Sequence, residues 1–157
     1  MADGSVPADN HSSTYPLSIR RILLSDAAAA GRLSGELGYP VSTEVIEQRI
    51  IQLADCPHHA VYVACLDSAV VGWIDLAIAH HLQSDPYVEI GGLVVADEAR
   101  SKGIGAQLVS FGEEWAKTFG VRRVVVRSRI SRERAHAFYE RAGYTRSKTS
   151  AVFEKMI

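Results

Sequence analysis

Arg100-Ser101-Lys102-Gly103-Ile104-Gly105 stands between an apolar run ending at Val95 and a helical run opening near Ile104. Residues of these types at this spacing can hold an anion. Glycines at 103 and 105 carry no Cβ that would keep a ligand off the backbone. A helix opening here presents unpaired N–H groups between Ser101 and Ala106, with a partial positive charge behind them. Arg100 and Lys102 add full charges on the same turn. The chemistry that suits is a pyrophosphate cradle. Two other phosphate loops are excluded. A P-loop needs Gly-Lys-Ser/Thr, but Gly105 is followed by Ala106 and Gln107. A dinucleotide fingerprint needs a third glycine where Leu108 stands. A serine hydrolase is unsupported, since Gly-x-Ser-x-Gly is absent. Neither Cys56 nor Cys65 follows a nucleophile motif. His58-His59 and His80-His81 are adjacent pairs, which point to opposite sides of a strand, so no metal is implied.

The chain that must position this loop has 157 residues, a length for one domain. Hydrophobic residues at 47% and charged residues at 22% supply a globular core. No apolar run is long enough to cross a bilayer. Residues 1–16 are polar and rich in small side chains, without the basic start and apolar middle of a signal peptide, and read as a flexible tail. Two cysteines give no disulfide framework, which fits a reducing, cytoplasmic setting. A net charge of −1 argues against a nucleic-acid partner. Its distribution is uneven. Residues 1–99 hold 4 Lys/Arg against 13 Asp/Glu, and residues 100–157 hold 13 against 5. Either one half faces an anion and the other a cation, or the two halves interleave in space and the charges mix.

Leu17–Leu24 reads as a first strand, and Ser25 or Asp26 can cap the Ala-rich helix after it, which stops near Gly38-Tyr39-Pro40. Ser42 or Thr43 starts a second helix, with Ile46, Ile50 and Leu53 on one face, ended by Asp55-Cys56-Pro57. His59–Leu66 and Val70–Ala79 read as an antiparallel pair around a tight Asp67-Ser68 turn. His80–Pro86 reads as a loop and Tyr87–Val95 as a fourth strand. Ile104, Leu108, Phe111, Trp115 and Phe119 form a helical stripe, closed by Gly120. Val121–Arg127 reads as a strand. Ser131 can cap a short helix carrying Ala135, Phe138, Tyr139 and Ala142, closed by Gly143. Tyr144–Ile157 reads as two weak strands, with Val152 and Phe153 in the last. The order gives an α/β (α+β) sheet of mixed direction.

That order and two motifs resemble the GNAT superfamily of acetyl-CoA-dependent N-acetyltransferases. Residues 100–105 match its Arg/Gln-x-x-Gly-x-Gly/Ala signature. Ala135-His136-Ala137-Phe138-Tyr139-Glu140-Arg141-Ala142-Gly143-Tyr144 matches its Ala-x-x-Phe-Tyr-x-x-x-Gly-Phe/Tyr helix, and Val70-Val71-Gly72-Trp73 looks like the start of its third strand. The resemblance covers residues 17–157. It implies a mixed, mostly antiparallel sheet of six to seven strands flanked by about four helices.

It also implies acetyl transfer from acetyl-CoA to a primary amine by direct attack in a ternary complex, without a metal. The acceptor is expected to be a small cationic amine. A protein lysine or N-terminus stays open as acceptor, as does a non-catalytic acyl-CoA-binding regulator. Relatives often dimerise, so a homodimer is an option. No nucleic-acid or membrane partner is implied.

By the same resemblance, the backbone from Ser101 to Ala106, including Lys102, Gly103, Ile104 and Gly105, binds the pyrophosphate beside Arg100. Leu93, Val94 and Val95 line the pantetheine, and Phe138 borders the cofactor. Members often place an Asn near the end of the fifth strand. Here the only Asn is Asn10, and Arg129 or Arg132 stands in that region, where an Arg could reach a phosphate. Tyr139 occupies the position of the acid that protonates the departing thiolate. Glu89 is the candidate base, with His80 and His81 as rivals. His136 packs or binds phosphate, and Asp75 and Asp85 could hold a cationic substrate.

Overall fold

The computed structural model describes residues 16–157, so all but the last residue of the expected tail lies outside the described residues. Strand β1 (Leu17–Arg21) leads into helices α1 (Ala27–Leu37) and α2 (Thr43–Ala54). Three long strands follow, β2 (His59–Leu66), β3 (Ala69–His81) and β4 (Ser84–Val95). Helix α3 (Ile104–Thr118), strand β5 (Val124–Val126) and helix α4 (Glu133–Arg141) complete the order. The strands form one sheet in sequence order. β1 to β4 pair antiparallel through hairpins or a helical excursion, and β5 lies parallel to β4 because α3 carries the chain back before β5 begins.

Local chemistry accounts for the elements. Ser42 Oγ accepts the Val45 N–H at 3.3 Å and caps α2 as expected. Asp67, at φ +57, makes the tight β2–β3 turn. Gly38 ends α1 in the left-handed region. The expected cap at Ser25 or Asp26 is not made. Asp26 instead accepts two hydrogen bonds from Arg20, at 2.7 and 2.9 Å, and one from the Leu23 N–H at 2.7 Å. That contact with the Arg20 guanidinium holds the carboxyl below the usual range, against the opposing effect of burial.

Four further expectations are corrected. The 80–86 segment is a hairpin, not a loop: β3 runs to His81, β4 starts at Ser84, and His81 pairs with Ser84. β5 has three residues rather than seven, because Val121 is buried outside the ladder and Arg122 and Arg123 are exposed. Arg132, not Ser131, stands at the start of α4, and no side chain caps it. Among the described residues the sheet has five strands rather than six to seven. Tyr144–Ile157 forms none, since every residue from 145 onward is exposed and no described strand pairs with it.

Alternation along β3 separates two layers. Ile74 and Leu76 face α3, where Leu108 is fully buried; Leu108→Ala would cost about 2–5 kcal/mol. Trp73 faces α1, and its indole N–H donates to the Ala30 carbonyl at 3.3 Å. The β4–β5 ladder covers only Val88 to Ile90, and beyond it the two strands part.

Candidate active site

The parting begins at Gly91. Gly92 to Val95 still pair with β3, from Gly92 opposite Asp75 to Val95 opposite Gly72, but have no partner in β5. Their outer backbone groups are therefore offered to a ligand that adds as an extended strand. Val94 is buried beside the core, while Leu93 and Val95 are half-buried.

The loop of residues 100–105 lies just beyond this open edge. Ser101, at φ +64, and Gly103, at φ +77, turn the chain into α3, whose first turn no side chain caps. Ser101, Lys102, Gly103 and Ala106 are exposed, while Ile104 anchors the turn in the core. The two glycines differ in purpose. Gly103 needs its positive φ, and the space where a Cβ would stand is open. A Cβ on Gly105 would meet the Phe138 ring at 3.3 Å, so Gly105 lets α4 approach. Arg100 folds back: its Nε donates to the Val95 carbonyl at 3.2 Å and its guanidinium pairs with Asp97 at 2.6 Å. It fastens the loop to β4, leaving Lys102 as the exposed cation of the turn.

Phe138 and Tyr139 are adjacent on α4, with ring centroids 5.1 Å apart, so the contact of Phe138 with Gly105 brings Tyr139 to the same site. Burial pushes the Tyr139 phenol up to about 12, with the Arg132 charge pulling the other way. Tyr144, 5.6 Å away and donating to Glu113 at 3.1 Å, is raised further by burial and by that carboxylate. Tyr139 is thus a protonated donor across the neutral range.

Arg132 donates to the Leu37 carbonyl at 2.9 Å, which ties α4 to the end of α1 rather than to the loop. The His136 ring donates from Nε2 to the Arg129 carbonyl at 3.0 Å and accepts at Nδ1 from Arg146 at 3.0 Å, a structural pairing. Glu89 is half-buried on β4 and accepts from Arg127 at 2.8 Å; Arg127 also donates to the Tyr87 hydroxyl. His80 and His81 sit at the far end of the β3–β4 hairpin, where His81 bonds Tyr87 at 3.1 Å. Seven residues of strand, roughly 23 Å, separate that end from Gly91. Asp85 lies near the same end, with Arg122 and Arg123 around a surface hollow.

Residues 32–144 match the Acetyltransferase (GNAT) family. The chain belongs to this family. An aminoalkylphosphonate N-acetyltransferase of Salmonella typhimurium is 37% identical over 86 residues, 54% of this chain and 56% of that protein. The match thus spans about half the length of that relative. An aminoglycoside N(6')-acetyltransferase type 1 of Serratia marcescens is 24% identical over 106 residues, 64% of this chain and 73% of that protein. The crystal structure of an aminoglycoside antibiotic 6'-N-acetyltransferase from Acinetobacter baumannii superposes with a TM-score of 0.80 at 24% identity, covering 90% of this chain and 99% of that one. The fold is the GNAT fold.

In this GNAT chain one polar pair at the parting was missed from sequence. His59 Nε2 lies 2.7 Å from Asp75 Oδ1, both half-buried. Asp75, expected as a holder of a cationic substrate, lies beside Gly91, where a Cβ would stand 3.3 Å from its Oδ1. His59 showed only as one of an adjacent pair. Its neighbour His58 does point the other way, its ring 6.0 Å from that of Phe119.

Proposed function

We propose that the protein is an acetyl-CoA-dependent N-acetyltransferase acting on a small cationic amine by direct attack in a ternary complex. The observation that carries this reading is the unpartnered edge of β4 from Gly91 to Val95, set next to the uncapped start of α3. Acetyl-CoA fits that pair of features. Its diphosphate meets the N–H groups of residues 101–106 and Lys102, and its pantetheine runs along Leu93, Val94 and Val95. One of those N–H groups polarises the acetyl carbonyl. Tyr139 donates to the departing sulfur, with Phe138 beside the cofactor. Arg132 would have to leave the Leu37 carbonyl to reach a phosphate. Glu89 borders the acceptor side, where it draws a cationic amine to the thioester or takes its proton.

The acceptor class is supported by the small amines named in the relatives, an aminoalkylphosphonate and aminoglycosides. The setting we propose is cytoplasmic: among the described residues no helix is long and apolar enough to cross a membrane, and both cysteines are free thiols. A homodimer belongs to the same reading. Val152, Phe153, Met156 and Ile157, all exposed, are the side chains a second copy would cover, and a monomer in sedimentation at assay concentration would remove that part.

The deciding experiment is thiol release from acetyl-CoA over an amine panel, with a melting scan beside it. Expected are a higher Tm with acetyl-CoA and thiol release with a small amine. Stabilisation without release from any amine, peptide amines included, would assign a coenzyme-binding regulator. No stabilisation would remove the cofactor.

A further inference from the structure

The rungs of the sheet set three polar side chains around one small residue. His59, Ala77 and Glu89 oppose one another across β2, β3 and β4. The next rung holds Val61, Asp75 and Gly92. Directly opposed residues of antiparallel strands point to the same side, so His59, Asp75 and Glu89 share the face that carries Trp73. Between them Ala77 raises only a methyl group. Gly91 is the extra residue of a bulge, since Asp75 opposes Gly92 while Leu76 opposes Ile90. The Asp75 carboxylate lies over that bulge, at the point where β4 leaves β5.

The two acidic groups are differently engaged. Glu89 is held by Arg127. Asp75 is bonded to an imidazole, whose Nε2–H donates to Oδ1 and whose Nδ1 lone pair is left open, with no hydrogen bond to it among the described residues. The charged groups on the neighbouring strands are Glu89 with Arg127 across Ala77, and Arg21 of β1, which donates to the His59 carbonyl at 3.2 Å.

We propose that His59, oriented by Asp75, accepts the proton of the acceptor amine, and that the free oxygen of Asp75 receives the ammonium. This rests on the acetyl-transfer reading above and completes it. An N–H bond of the ammonium breaks and its proton goes to His59 Nδ1. The freed pair forms the C–N bond to the acetyl carbon. The C–S bond breaks and its electrons go to sulfur. The sulfur takes a proton through the Tyr139 hydroxyl, which is replenished by the second nitrogen proton, and His59 returns its own to water. The site therefore selects primary amines that arrive as cations.

The test uses the full chain, with kanamycin A and 2-aminoethylphosphonate as probes and acetyl-CoA saturating. His59→Gln is expected to lower kcat/KM about 100-fold and flatten the acidic limb of the pH profile, with acetyl-CoA affinity unchanged. Asp75→Asn is expected to cost about tenfold and keep the limb. Added imidazole is expected to restore part of the rate of His59→Ala, which a merely structural role would not allow. If His59→Gln keeps the wild-type rate and limb, the assignment falls while acetyl transfer stands. If the wild type releases no thiol with either probe, the acetyl-transfer reading falls, and the subsite is judged by NMR. Ring resonances of His59 that move on adding either amine, and do not move in Asp75→Asn, support it. Unmoved resonances overturn it.

Discussion

The two sides of the gap between β4 and β5 are built on opposite principles. The side proposed for the cofactor is made of backbone: a strand edge without a partner in β5, a left-handed turn at Ser101 and Gly103, and the first N–H groups of α3. Its side chains mostly do structural work, as Arg100 does on Val95 and Phe138 on Gly105. The side proposed for the acceptor is made of side chains, His59, Asp75 and Glu89, from three different strands. A backbone site binds whatever carries a diphosphate, and a side-chain site can change one residue at a time. The contrast suits the proposed reading, in which the coenzyme is the constant partner and the amine the variable one.

Tyr139→Phe is expected to break the comparison most, because the proposed reaction sends the proton of the leaving sulfur through that hydroxyl. A loss of about 100-fold in kcat, with acetyl-CoA affinity kept, would place the hydroxyl on the reaction and not on cofactor binding. Steady-state kinetics beside calorimetry separates the two. Gly103→Val should come next. It forces a β-branched residue to φ +77 and raises a side chain in front of α3, so acetyl-CoA Kd should rise about tenfold or more. Amine KM measured at saturating cofactor should not follow it. Glu89→Gln should be milder, with amine KM rising about threefold and the acidic limb unshifted, since its oxygen is committed to Arg127. A limb that vanishes in this variant would return the base to Glu89.

Asp26 bonds Arg20 and the Leu23 N–H and none of the residues of either side, so Asp26→Asn should touch stability alone. The Asp26 carboxyl is depressed in the folded state, so its contribution is present above the unfolded pKa of about 3.9 and is lost as pH falls through the lower folded value. At neutral pH the variant should cost about 1–3 kcal/mol, a drop of several degrees in Tm, with the difference closing in acid. Scanning calorimetry at several pH values reads it. The Tyr139 phenol acts at the other end. Raised to about 12, it favours the folded state fully below the unfolded pKa of about 10, and that support is lost as pH rises from there toward 12.

Much of the loop and of the helix that packs on it was legible because their signals are local. Loop residues 100–105 and the Phe138-Tyr139 helix are short contiguous motifs whose backbone needs, a positive φ at Gly103 and a close approach at Gly105, restrict residue type directly. The α2 cap at Ser42, the Asp67 turn and the α3 stripe are local in the same way. Less was legible at the ends. Val152 and Phe153 have strand propensity, but a strand exists only where another lies beside it, and none does among the described residues.

The meeting of His59 with Asp75 was settled by register. Counting back from the Asp67-Ser68 turn sets Leu66 opposite Ala69 and Cys65 opposite Val70, and the same count would set His59 opposite Leu76, on the face that meets α3. The irregularity between Ala64 and Cys65 shifts the pairing by one residue, so His59 opposes Ala77 and turns to the Asp75 side. A single-residue slip reverses the face of every side chain beyond it. Spacing by itself determined the order of elements through α4 and the turn at Gly103, because those depend on neighbours in the chain. Which carboxylate meets which imidazole was decided only in three dimensions, because a bulge of one residue leaves no mark in the sequence that carries it.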